Sequence, residues 1–265
     1  MTDRLPDGWG SDTPRDDTLV RAYAESWADL NEDVGRAGGR PTKRTDEFVA
    51  YDSHAPFPFV NVAVLLRPVH DADDSVLDEI TDFFEPDDGT PFLVWSATPT
   101  PSFEARGWSL MGHPPLMLRP SGPADVPRPE GLDIVDVRND QTLARFDQTM
   151  IESYPVPEME GRRQFNEGVL DAHGWHMWLG MVDGRPVGTA AAHVTDAFVD
   201  VEWISTHADF RGRRIGEALT WAATLVAPDR PAMLFASDLG QPTYERMGYQ
   251  RLARLTLWVG TRRAQ

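Results

Sequence analysis

The chain has 265 residues, is 41% apolar and carries a net charge of −17. That length and apolar content suit two ordinary domains, and the charge excludes general binding to nucleic-acid phosphates. The absence of cysteine excludes disulfides, thiolate nucleophiles and zinc–thiolate centres. No run approaches the roughly 20 apolar residues of a membrane helix, and residues 1–8 lack an apolar leader core. A soluble cytoplasmic protein without membrane or nucleic-acid partners is expected. The charge is uneven: residues 1–120 carry 10 Lys+Arg against 22 Asp+Glu, the remainder 15 against 20.

Residues 1–14 read as a polar tail. Asp16, Asp17 and Thr18 open a helix spaced by Leu19, Tyr23, Trp27 and Leu30, ending near Gly35. Strands are predicted over 47–53, 60–66 and 92–96. Asp71, Asp73 and Asp74 lie in an acidic loop, and Ser75 could cap a helix running to Phe84. A short helix over 101–106 closes at Gly107, and 116–118 is the last strand of the first half. Residues 120–131 hold four prolines and read as a linker.

The second half opens with a strand over 132–137. Helices are predicted over 142–153, stopped at Pro155, and over 162–172. Asp183-Gly184 between apolar runs predicts a hairpin of 176–182 with 187–194. A strand over 199–205 leads into a turn with Arg211, Gly212 and Gly216. Ile215, Ala218, Leu219, Ala222, Ala223 and Val226 then mark one helical face. A strand over 232–236, a short helix over 242–247 closed by Gly248, and a strand over 252–259 complete the chain. A turn with glycines and arginines at a helix start gathers free N–H groups and the positive end of the helix dipole, which suits a phosphate.

The halves share a pattern. Residues 91–108 and 231–249 each read as a buried strand, a loop, an aromatic-Glu pair and a Gly-aromatic stop. Phe103 and Tyr244 both lie four residues before that glycine. The first half has no glycine turn after its strand at 60–66, and its three aspartates would repel a phosphate.

Arg211-Gly212-Arg213-Arg214-Ile215-Gly216 and Tyr244-Glu245-Arg246-Met247-Gly248-Tyr249 resemble, in residues and spacing, two motifs of the GCN5-related N-acetyltransferases. The resemblance covers residues 131–260. It departs at Arg214, where the family carries glycine, and the turn is therefore expected to keep ordinary backbone angles there. The resemblance implies an α/β (α+β) fold of two similar domains, each a mixed, mostly antiparallel sheet flanked by helices. The first, over 15–120, would be a degenerate copy without a cofactor site, followed by a linker at 121–131 and a catalytic domain at 132–265.

The resemblance further implies acetyl-CoA or another acyl-CoA as co-substrate, and no metal. Cofactor contacts would come from Ile204, Ser205, Thr206, Arg211, Gly212, Arg213, Arg214, Ile215, Gly216 and Glu217. Tyr244 matches the family's usual acid; its ordinary pKa near 10 suits protonation of a thiolate. Period-two alternation puts Asp200, Glu202, Ile204 and Thr206 on one strand face, which makes Glu202 the first candidate base and Asp200 the second. His176, His193 and His207 read as structural, and Trp175, Trp178 and Trp203 as core. Glu152, Tyr154 and Glu158 fall where the family builds acceptor specificity. The acceptor would be an amine of a small molecule or peptide. A monomer and a homodimer both remain open, as does a non-catalytic acyl-CoA sensor.

Overall fold

The computed structural model describes residues 18–84, 89–154 and 156–261. The predicted tail, Asp16 and Asp17 lie outside them. Helix α1 (Leu19–Ala37) begins where the Thr18 side chain accepts the Arg21 N–H, which satisfies one of the free donors of the first turn. Tyr23, Trp27, Leu30 and Val34 recur at helical spacing and are buried. Strands β1 (Thr42–Arg44), β2 (Phe48–Asp52) and β3 (Asn61–Leu65) follow. Both β2 and β3 are buried along their whole length. Asp74, rather than the expected Ser75, caps helix α2 (Ser75–Phe83) by accepting the Val76 N–H.

Strands β4 (Pro91–Ser96), β5 (Ser109–Gly112) and β6 (Pro115–Arg119) complete the first half. The helix expected over 101–106 is one 3-10 turn, Glu104–Arg106, ended by Gly107 at φ +82. In the second half, β7 (Leu132–Asp136) leads to α3 (Asp140–Ser153), which Asn139 and Thr142 open with a capping box. The helix expected over 162–172 is absent as an α-helix. Two 3-10 turns, Pro157–Met159 and Glu167–Asp171, stand near it. The Asn166 side chain takes the Gly168 N–H, a local bond that competes with helical pairing.

Strands β8 (Trp175–Val182) and β9 (Arg185–Val194) form the expected hairpin. Asp183 and Gly184 both have positive φ, +50 and +75, as a type I′ turn requires. Strand β10 (Val199–Thr206), helix α4 (Ile215–Thr224), strand β11 (Ala232–Phe235) and helix α5 (Gln241–Arg246) follow. The strand expected over 252–259 is two strands, β12 (Gln250–Arg254) and β13 (Thr256–Thr261), broken at Leu255.

The two sheets do not divide at the linker. One runs β1-β2-β3-β4-β13-β5, the other β12-β6-β11-β10-β9-β8-β7. The last strand of the chain thus sits in the first half's sheet, and β6, expected to end the first half, sits in the second half's sheet. Where the segments cross, Leu255 N–H bonds Pro114 C=O and Ala236 N–H bonds Pro115 C=O. Pro114 and Pro115 have no N–H to continue the pairing of β5, so the chain can leave one sheet for the other. The sheets share an order: an antiparallel pair, a parallel pair, then an antiparallel strand lent by the other half.

The exchange produces a core common to both halves. Tyr23, Trp27, Trp95 and Leu116 of the first half pack with Phe198, Met233 and Leu257 of the second. Trp27 stacks on Trp95 with ring centroids 5.2 Å apart. Among the described residues no helix is long and apolar enough to cross a membrane.

Candidate active site

The turn after β10 is a short 3-10 turn, Ala208–Phe210, followed by residues 211–214 and the start of α4. The first backbone bond into the helix runs from Ala218 N–H to Arg214 C=O. The amides of residues 212–217 donate to no backbone carbonyl among the described residues, so they form the open end of the helix dipole. Arg214 stands at φ +60, ψ +16, in the left-handed region. This corrects the expectation of ordinary angles: Arg214 takes up the conformation that a glycine would take freely, and bears the strain. Its guanidinium makes two bonds to Glu217, Nε to Oε2 at 2.9 Å and Nη2 to Oε1 at 2.8 Å. That pairing holds the Glu217 carboxyl below its usual range.

The other turn residues have distinct places. Arg211 donates to the carbonyls of Thr206 at 3.2 Å and Ser153 at 3.1 Å, which ties the turn to the end of α3. Arg213 lies over the Phe210 ring, 5.0 Å from its centroid, with Arg185 5.3 Å from the same ring. Gly216 is where α4 meets β10: a Cβ there would stand 2.8 Å from Thr206 Oγ1. Ile215 is buried under the helix.

Strand β10 carries the carboxylates. Between Glu202 and Ser205 its register with β9 slips, so Trp203 and Ile204 both stand opposite Ala190. Trp203 takes φ +52. The bulge breaks the predicted alternation. Asp200 and Glu202 face α1, whereas Ile204 packs in the cluster of α4 and Thr206 touches Gly216 of α4. Ser205 bonds Thr189, with its oxygen 2.7 Å from Thr189 Oγ1.

Both carboxylates are buried, Asp200 completely and Glu202 to 7% exposure. Tyr23 Oη donates to Glu202 Oε1 at 3.2 Å, and Trp27 Nε1 to the same oxygen at 3.1 Å. Ser26 Oγ donates to Asp200 Oδ2 at 3.3 Å and lies 3.1 Å from His193 Nδ1. Asp200 Oδ1 is buried with no hydrogen-bond partner among the described residues. Burial pushes Glu202 up to about 7. Burial, reinforced by the neighbouring Glu202, pushes Asp200 well above the carboxylate range.

Strands β10 and β11 are parallel but pair only at Val199–Ala232 and Asp200–Met233. Beyond these positions they part. Two tyrosines lie within electrostatic reach of Glu202 on β10. Tyr244, half-buried on α5, packs edge-on to Tyr249, and no described residue bonds its hydroxyl. Tyr154, just past α3, donates to Ile204 C=O at 2.7 Å. Loss of hydration raises both phenols, although Tyr154 is 45% exposed, and the charge of Glu202 raises both further. Glu202, Tyr154 and Tyr244 therefore share one electrostatic site.

Residues 136–249 match the acetyltransferase (GNAT) family model. Over those residues the chain is similar to that family, and this stretch is its GNAT-like domain, hereafter the GNAT domain. Solved structures with similar folds include a GCN5-related N-acetyltransferase from Kribbella flavida: 18% identity, 91% of this chain and 95% of that one covered, TM-score 0.64. A GCN5-related N-acetyltransferase-like protein from Streptococcus suis is 14% identical over 92% and 98% of the two chains, with TM-score 0.51. A tandem GNAT protein from the clavulanic acid biosynthesis pathway is 13% identical over 91% and 95%, with TM-score 0.50. No curated protein matches the chain in sequence.

The helix that follows β3 in the first half starts differently from α4. After β3, Arg67 grips Asp74 with two bonds of 2.8 Å, and Asp74 caps α2. The helix end left open in the GNAT domain is filled in the first half by the chain's own carboxylate. Phe103, four residues before Gly107 as Tyr244 is before Gly248, is fully buried among Trp108 and Trp258.

The expected linker is held down. Arg119 donates to the carbonyls of Pro120, Pro123 and Met247 and lies over Trp221. Between that segment, α4 and the end of α5 is a cavity of about 570 Å³, bordered by Arg214, Glu217 and Arg246. Among the described residues no group of His, Cys, Asp or Glu is arranged to hold a metal ion. Sequence reasoning missed Tyr23, Ser26 and Trp27 as neighbours of the carboxylates. Their spacing signalled only a buried helical face.

Proposed function

We propose that the GNAT domain transfers an acyl group, acetyl first among the candidates, from its CoA thioester directly to an amine. What supports this reading is that the charge of Glu202 acts on Tyr244, while the amides of residues 212–217 donate to no backbone carbonyl among the described residues. Acetyl-CoA fits this site. The open helix end suits its pyrophosphate, and Gly216 puts no side chain where α4 meets β10. The cavity beside Arg214 and Arg246 has room for the nucleotide end. When bound, acetyl-CoA supplies an activated acetyl group.

The side chains then divide the proton work. An amine attacks only when neutral, so a base must take its proton. Glu202, pushed up to about 7, sits in the range where a carboxylate accepts a proton effectively at neutral pH. Tyr244 is neutral in the resting protein and its Oη can donate to the departing thiolate. Asp200, behind Glu202 and without exposure, is pushed well above the carboxylate range by burial. Tyr154 fixes the bulged strand through Ile204 C=O.

The first half, with its filled helix end, reads as a second copy of the fold that has lost the cofactor site. The acidic chain favours a cationic amine as acceptor. Thiol release from acetyl-CoA over a panel of polyamines, aminoglycosides, lysine-type amines, neutral amines and amino acids tests both points. Release with the cationic members supports the reading. Acceptance of neutral or anionic amines alone would remove the cationic preference. Calorimetric binding of acetyl-CoA without release on any amine would favour a sensor.

A further inference from the structure

Helix α1 belongs to the first half, yet its inner face ends on the carboxylates of the GNAT domain. Tyr23, Ser26 and Trp27 lie at i, i+3 and i+4, one helical face. Each bonds Glu202 or Asp200 across the junction between the halves, at 3.1 to 3.3 Å. Taking two carboxyls out of water is costly even when they are paired. An apolar contact between α1 and β10 would hold the halves together more simply. Buried acids of this kind collect where chemistry is done.

The donors are chosen in a particular way. Among the described residues, the groups that act on Glu202 are Asp200 of its own strand and Tyr23 and Trp27 of α1. Tyr154 after α3 and Tyr244 of α5 feel its charge, and His193 of β9 reaches the pair through Ser26. None of those acting on Glu202 is a cation. A guanidinium beside it would hold the carboxylate ionised and weaken it as a base. Two neutral donors on one oxygen fix its plane while leaving its affinity for a proton high.

We propose that α1 completes the transfer centre, with Tyr23 and Trp27 as positioning residues that orient Glu202 and tune it as the base. This rests on the reading of Glu202 as the proton acceptor. The first half then has a part in the chemistry as well as in folding, although its own helix end is closed by Asp74.

The test compares wild type, Tyr23→Phe, Trp27→Phe and Glu202→Gln. With 13C-labelled glutamate, the carboxyl signal missing from Glu202→Gln identifies Glu202, and its titration needs no acceptor. Removing one donor from the ionised form should raise that midpoint by about one pH unit. The acidic limb of kcat/KM, measured with acetyl-CoA and the best amine of the panel, should move upward by the same amount. Activity should return toward the wild-type value at high pH. Equal loss at every pH, or a shifted carboxyl midpoint with an unmoved rate profile, would overturn the proposal. If Tyr23→Phe does not fold, Trp27→Phe carries the same comparison. Full turnover by Glu202→Gln would instead remove the underlying reading of the base.

Discussion

Tyr23 and Glu202 are 179 residues apart in the chain and meet in a buried hydrogen bond of 3.2 Å. Burial raises Glu202 from 4.5 to about 7, so the folded chain keeps a proton that the unfolded chain has lost. The resulting stability is complete below pH 4.5 and disappears as the pH climbs through about 7, a change of about 3 kcal/mol. Glu202→Gln should therefore exceed wild type in stability at pH 8, with a much smaller difference at pH 4.5. Urea unfolding at the two pH values measures this. A difference that does not change with pH would contradict the placement of Glu202.

Tyr244 keeps its ring against Tyr249 whether or not it carries a hydroxyl. Tyr244→Phe should leave thermal stability nearly unchanged. The loss of a positioned acid should lower kcat by about 100-fold, with KM for acetyl-CoA little altered. Steady-state kinetics on the thiol-release assay give both numbers, and a full kcat would exclude Tyr244 as the acid.

Arg214 carries left-handed backbone angles at the start of α4. Arg214→Gly should relieve that strain and raise the melting temperature by a few degrees, despite the lost bonds to Glu217. A thermal melt decides it. A fall in melting temperature would mean that the Glu217 pairing outweighs the backbone strain.

Leu257 is a second-half residue buried in the first half's sheet and in the core common to both. Leu257→Ala should cost about 2–5 kcal/mol. Because each sheet holds a strand of the other half, the loss should appear equally in both. Hydrogen exchange of the β2 and β9 amides reports it, and protection lost from β2 alone would show that the halves unfold independently.

Much of this was legible from residue order. Helical spacing located α1 and α4, Asp183-Gly184 located the hairpin, and the glycine–arginine turn with Tyr244 pointed to the family. Three features were hidden for physical reasons. Apolar alternation marks 252–259 as extended but carries no information about which sheet receives it, so the break at Leu255 and the strand exchange were not visible. The bulge at Trp203 turns Ile204 and Thr206 away from Glu202, because period-two reasoning holds only while the register does. Tyr23 and Trp27 looked like core because their polar atoms are small parts of large apolar rings; their bonds to Glu202 depend on contacts across almost the whole chain.

The most direct measurement is a crystal structure of the protein with CoA bound. The pyrophosphate should lie on the amides of residues 212–217 and the thiol sulfur at the opening between β10 and β11, within hydrogen-bond reach of Tyr244 Oη and facing Glu202. CoA bound elsewhere, or a sulfur remote from both side chains, would contradict this placement.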